Sequence, residues 1–210
     1  MNRAQEALER LREGNRRFAS GTPRAENVNE SRSRLSALAA GQKPFAVILG
    51  CSDSRVPAEI VFDQGLGDLF VIRVAGNIVD ASQIGSVEFA ATQFGTRLVV
   101  VLGHTRCGAV VATLEQMQQP APIRSQNLWS IVERIRPAVE PLLATKLRRD
   151  SDAFVRYAVR ANIRQSAGRL RHESRVLGQL IEEDGLLVVG AEYCLESGVI
   201  DFFDGVPEAG

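Results

Sequence analysis

The sequence predicts an α/β fold: a central, mostly parallel sheet of about four to five strands flanked by helices, with a C-terminal antiparallel edge strand and an N-terminal helical arm. Three observations predict it. Two apolar, β-branched runs, 45–49 and 98–102, lack the polar alternation of a half-exposed strand and read as strands buried on both faces. Helical periodicity fills the stretches between strand runs, giving the β-α-β-α order of a parallel sheet. A final apolar run, 186–195, meets the turn Glu196-Ser197-Gly198 and a short run at 199–203, which reads as an antiparallel hairpin.

Taken in order, residues 2–19 place Ala4, Ala7, Leu8, Leu11 and Phe18 at helical spacing, with charges opposite. Gly21-Thr22-Pro23 ends that helix. Residues 22–43 are polar, with a short helical piece at 31–39. Residues 1–40 therefore read as an arm whose apolar stripe packs on a partner subunit, attached to a single domain spanning 1–210. After the strand at 45–49, Pro57 suits the first turn of a short helix at 57–62. A second strand follows at 69–74, a helix at 82–94, the strand at 98–102, and a helix opening near Cys107-Gly108.

Residues 125–183 carry no strand signal. Leu128, Trp129, Val132, Ile135, Val139 and Leu142 suit one helix, bent at Pro137 and Pro141. A long helical pattern then runs from Phe154 to Ile181, with Arg156, Arg160 and Arg164 recurring every four residues. That stripe suits a solvated face or subunit contact better than an anion site.

Composition sets limits. Acidic and basic residues balance at 25 each, so no net field favours nucleic acid or an anionic membrane. No apolar stretch approaches the roughly 20 residues of a membrane-spanning helix. The first residues lack a signal-peptide core, which gives a cytoplasmic expectation. Three cysteines do not make a disulfide framework. Cys194 reads as a small buried hydrophobe and His172 as a surface residue.

The chemistry is concentrated where the two apolar runs end. The first is followed by Gly50-Cys51-Ser52-Asp53-Ser54-Arg55, the second by Gly103-His104-Thr105-Arg106-Cys107-Gly108. Ligands gather beyond the carboxyl ends of parallel strands, so Cys51, His104 and Cys107 should converge on one sheet edge. Two thiolates and an imidazole suit zinc and leave a fourth position for water or substrate. Asp53 is either the fourth ligand, closing the site, or a hydrogen-bond acceptor beside it. Arg55 bears on that choice, because a bidentate guanidinium can hold the carboxylate off the metal.

These motifs together, Cys51-Ser52-Asp53-Ser54-Arg55 and His104-x-x-Cys107-Gly108, resemble those of the β-class carbonic anhydrases. The segments 62–73, Ala75-Gly76-Asn77 and 85–89 extend the resemblance. It implies reversible hydration of carbon dioxide to bicarbonate and a proton by a zinc-bound hydroxide, with one zinc per chain on Cys51, His104 and Cys107. Asp53 and Arg55 would be catalytic, Asp53 accepting a hydrogen bond and Arg55 holding it. Gln42, Phe70, Phe89 and Gly108 would bind substrate. The resemblance further implies a homodimer or homotetramer with active sites between subunits. One subgroup of the family has Trp three residues before its first cysteine ligand, as part of a second, inhibitory bicarbonate site. Ile48 stands there, so the chain is closer to the subgroup lacking that site, although Arg73 is present. Competing readings are a carbonyl sulfide or carbon disulfide hydrolase on the same scaffold, and a non-catalytic zinc protein.

Overall fold

The computed structural model describes residues 2–24, 35–118, 125–146 and 150–207. Its centre is a five-stranded sheet in the order β2-β1-β3-β4-β5. β1 (Ala46–Gly50) pairs in parallel with β2 (Leu69–Arg73) on one side and β3 (Leu98–His104) on the other. β4 (Leu187–Tyr193) continues the parallel sheet, and β5 (Ile200–Asp204) returns antiparallel at the edge. This is the predicted architecture.

The missing polar alternation in the two runs has a direct cause. Val47 and Leu49 of β1, with Val99 and Val101 of β3, enter one core, while Ile48, Val100 and Leu102 enter another on the opposite face. Every residue of both strands is buried. The chain leaves β1 for β2 on one side and reaches β3 on the other. The direction of winding therefore switches between β1 and β3, and a crevice opens beyond their carboxyl ends.

The first face is covered by α4 (Ala81–Gln93), α5 (Gly108–Gln118), α6 (Gln126–Val139), α7 (Ser151–His172) and α8 (Arg175–Glu183). Gly103 and Gly190 let Ile163 of α7 rest directly on the sheet, since a Cβ at either would meet its side chain at 2.5 and 2.9 Å. The long helical pattern is two helices, because Ser174 turns the chain and caps α8 by accepting the Leu177 N–H. Pro137 sits in the last turn of α6, and Pro141 in the 3-10 turn Glu140–Ala144 that follows. The helix ends at Val139, so Leu142 falls in that turn rather than in the helix. Val132, Ile135 and Val139 are buried, whereas Leu128 and Trp129 are exposed, with Arg136 over the indole ring.

The arm differs from its expectation. α1 (Arg3–Ala19) packs on its own sheet: Ala7, Leu8 and Leu11 join Ile48, Phe62, Val100 and Val189 in the second core. Burying each leucine contributes about 1.5–3 kcal/mol. Asn15 fastens the helix further, donating to the Val61 and Gly198 carbonyls and accepting the Ile200 N–H. The apolar stripe thus needs no partner to cover it. α2 (Leu35–Ala40) matches the end of the predicted 31–39 piece, whose start lies outside the described residues. Pro57 precedes α3 (Ala58–Val61) as its N-cap residue.

The arginine stripe of α7 holds the terminal hairpin. Arg160 bonds Asp201 at 2.8 Å and Glu192 at 3.2 Å and stacks on Phe203. His172 is exposed, as expected. Cys194 is half-exposed rather than buried, its thiol 3.3 Å from a Glu196 carboxylate oxygen. No helix among the described residues is long and apolar enough to cross a membrane.

Candidate metal centre

The crevice between β1 and β3 brings the two motifs together. Cys51 follows β1 directly, and His104 is the last residue of β3. Thr105 and Arg106 then make a tight turn, Arg106 taking a left-handed conformation at φ 55°, and Cys107 precedes α5. The ligand atoms of Cys51, His104 and Cys107 lie within 4.8 Å of one another, and all three residues are buried.

The imidazole is oriented for coordination. His104 Nδ1 is 2.9 Å from the Thr105 carbonyl, which places its proton there and leaves Nε2 as the ligand atom. Nε2 is buried and has no hydrogen-bond partner among the described residues. A buried nitrogen lone pair facing two thiols is the donor set of a soft divalent cation, so these residues fit zinc.

The surroundings favour a thiolate on Cys51 and a thiol on Cys107 that bonds it. The neighbouring Cys107 thiol lowers Cys51 against the opposing effect of burial, and the Gly76 N–H donates to its sulfur at 3.4 Å. Cys107 is raised by the same pairing and by burial, while amides of Val110 and Ala109 in the first turn of α5 counteract this. Burial alone would lower His104. Cys51, Thr105 and Asp53 outweigh it and raise its pKa, so the pocket attracts positive charge.

Asp53 stands at the rim. Its Oδ1 accepts from the Arg55 N–H at 3.0 Å and from Nε at 2.9 Å, and its Oδ2 from Nη2 at 2.7 Å. These bonds hold its carboxyl well below the usual carboxylate range. Its Oδ2 is 3.8 Å from His104 Nε2, too far for a hydrogen bond. The predicted bidentate clamp is therefore present.

The other predicted residues are divided. Gly108 opens α5 beside Cys107, with open space in front of it. Gln42 precedes β1 while Cys51 follows it, so a strand of about 13 Å separates them within one chain. Gln42 lies in a surface groove with Leu38, Gly67 and Asp68. Phe70 pairs with Val47 in the amino-terminal half of β1, and its ring meets Phe89 at 6.2 Å and Phe94 at 6.0 Å. Phe89 is 50% exposed. Sequence reasoning missed Thr105, which orients the imidazole, and Gly76, which bonds the thiolate. Both act through backbone atoms, which leave no mark in residue type.

A family described as carbonic anhydrase matches residues 46–200 of the chain. Over 192 residues the chain is 41% identical to carbonic anhydrase 2 of Mycobacterium tuberculosis, a match covering 91% of this chain and 89% of that protein. The crystal structure of a β-carbonic anhydrase from Aspergillus fumigatus is similar at a TM-score of 0.75 and 30% identity, over 87% of this chain and 86% of that one. A structure from work on two tetrameric β-carbonic anhydrases of Sordaria macrospora is similar at a TM-score of 0.70 and 25% identity, over 83% and 88% of the two chains. The likeness runs through both strand ends and the sheet that carries them, and so the chain belongs to the β-class carbonic anhydrases, enzymes of the lyase class.

Proposed function

We propose that this chain catalyses the reversible hydration of carbon dioxide to bicarbonate and a proton, with one zinc per chain held by Cys51, His104 and Cys107. The observation that carries this reading is the convergence of the three ligand atoms within 4.8 Å beside a carboxylate that Arg55 keeps ionised. Zinc bound there supplies a Lewis acid that makes water a nucleophile near neutral pH. Asp53 accepts a hydrogen bond from the attacking water and aims its lone pair at the carbon. Arg55 occupies both carboxylate oxygens and so keeps Asp53 from serving as a fourth ligand. That clamp favours a catalytic over a purely structural centre.

The working unit in this reading is a homodimer or homotetramer. Gln42, Phe70 and Phe89 stand away from their own Cys51 and would serve a neighbour's site. Gln42 would donate to substrate, and the phenylalanines would wall an apolar pocket for an uncharged linear molecule. Thiolate ligands need a reducing compartment, in keeping with a cytoplasmic enzyme. Ile48 is fully buried between α1 and the sheet, which supports the absence of a second bicarbonate site. Stopped-flow hydration of carbon dioxide by the zinc-loaded protein tests the reading, with carbonyl sulfide measured alongside. Turnover of carbonyl sulfide without carbon dioxide hydration would replace it with the hydrolase.

A further inference from the structure

Arg73, the last residue of β2, turns its guanidinium over the end of β1. Its Nε donates to the Cys51 carbonyl at 3.0 Å and its Nη2 to the Asp53 carbonyl at 2.6 Å. The backbone beside it works in the same direction. The Val74 N–H donates to Gly50 at 3.1 Å, the Ser52 N–H to Val74 at 3.3 Å, and the Gly76 N–H to the Cys51 sulfur at 3.4 Å. The end of β2 thus grips the whole loop that carries the first cysteine and Asp53.

Two arginines hold Asp53, and they impose different constraints. Arg55 belongs to the same loop, two residues away. Its clamp fixes the carboxylate relative to the loop, but the pair can still swing together. Arg73 is rooted in the sheet through its register with Gly50. Its charge-assisted bonds to the loop carbonyls fix the loop relative to the sheet, in which β3 ends at His104 and leads to Cys107. With Arg73 alone, the carboxylate would rotate; with Arg55 alone, it would drift.

We propose that Arg73 is a positioning residue for Asp53, pinning the backbone of residues 51–53 so that the Asp53 carboxylate keeps its 3.8 Å spacing from His104 Nε2. The proposal rests on the reading of Asp53 as an acceptor at a zinc centre. Cys51 keeps its own anchors in β1 and the Gly76 amide, so metal retention does not depend on Arg73.

The test uses full-length protein loaded with zinc or, for spectroscopy, cobalt. Arg73→Ala should retain one metal per chain and lose about 10–100-fold in kcat, the range for outer-shell partners of metal sites. Arg73→Lys should recover part of the loss. The cobalt absorption of Arg73→Ala should shift as Asp53 wanders, and the shift should vanish in the Arg73→Ala, Asp53→Asn double variant. In the Asp53→Asn background, Arg73→Ala should cost no further rate. Unchanged rate and spectrum in Arg73→Ala, an equal loss with or without Asp53, or loss of the metal would each overturn the proposal. A wild-type protein inactive on carbon dioxide would overturn the functional reading instead, and the cobalt spectra would still decide the role of Arg73.

Discussion

Asp53 Oδ2 is 2.7 Å from Arg55 Nη2 and 3.8 Å from His104 Nε2. The first is a charge-assisted hydrogen bond; the second leaves room for no more than a close approach. The carboxylate is thus engaged on the side of Arg55 and stands beside the imidazole without joining the group of Cys51, His104 and Cys107. Arg55→Ala should release it. The variant is expected to keep its zinc and lose about 100-fold or more in hydration rate. Asp53→Asn should lose a similar factor, since its amide cannot keep both oxygens as acceptors. Elemental analysis with stopped-flow rates checks both, and near-normal rates in the two variants would falsify the assigned roles.

Metal retention should depend on all three converging side chains. Cys107→Ser replaces a soft thiolate by a hydroxyl that stays protonated. His104→Ala removes the buried Nε2. Each variant is expected to lose zinc to a chelator that leaves the wild type loaded, by a factor beyond the about 10–100-fold typical of outer-shell changes. Full occupancy with full activity in Cys107→Ser would remove that residue from the ligand set.

The convergence of Cys51, His104 and Cys107 was legible in the sequence because strand runs have fixed direction. Two parallel strands that end in ligating residues must present them at one edge. The location of α1 was not legible in the same way. Periodicity shows which side of a helix is apolar, but not which surface covers it, and here its own sheet does. The stripe containing Arg160 was misread for a related reason, since its partners Glu192 and Asp201 are distant in sequence. Cys194 reads as a buried hydrophobe by composition, yet it sits at the exposed hairpin turn beside Glu196. Arg73 stood out in the sequence only beside the second bicarbonate site that the resemblance brings in; its hold on the Cys51 loop gave no signal, because its acceptors are backbone carbonyls.

The docking of α1 can be tested at its closest approach. A Cβ on Gly14 would stand 1.9 Å from the Phe62 carbonyl oxygen, so the helix must shift to admit one. Gly14→Ala should destabilise the protein by about 1–3 kcal/mol, the usual range for overpacking. Asn15→Ala should have an effect of at least that size, because it strands buried backbone groups of Val61 and Ile200. Denaturant melts read both. Wild-type stability in the two variants would mean that α1 is not seated on this sheet in solution.

Asp80 gives a pH-dependent prediction away from the metal centre. It caps α4 by accepting the Ala81 N–H at 2.9 Å and pairs with Arg134 at 2.7 Å. The backbone amide chiefly, then Arg134, holds its carboxyl below the usual range. A depressed folded-state pKa stabilises the fold above the ordinary carboxylate value, and that stability is lost as pH falls through the folded value. The side chain is 46% exposed, so the effect is modest. Asp80→Ala should cost about 1 kcal/mol at pH 7, the usual value of an N-cap. The gap from wild type should narrow below about pH 4. A gap that stays constant with pH would mean that neither the amide nor Arg134 depresses this carboxyl in the fold.

The exposed aromatic group offers the sharpest test of a shared active site. Phe89 lies edge-on to Phe94 at 5.6 Å and meets Phe70 at 6.2 Å, yet half of its surface faces outward. In the proposed assembly this ring is covered by the neighbouring subunit and walls that subunit's pocket. Phe89→Glu would place a charge in the seam while leaving Cys51, His104 and Cys107 untouched. The expected outcome is a chain that still binds one zinc, sediments as a smaller species than the wild type, and hydrates carbon dioxide at least about 10-fold more slowly, as a charge buried without a partner strongly opposes association. Phe89→Leu should keep both assembly and most of the activity, because it preserves apolar contact. A Phe89→Glu chain that sediments as the wild type does, or a fully active monomer of either variant at assay concentration, would refute the shared site while leaving the metal chemistry intact.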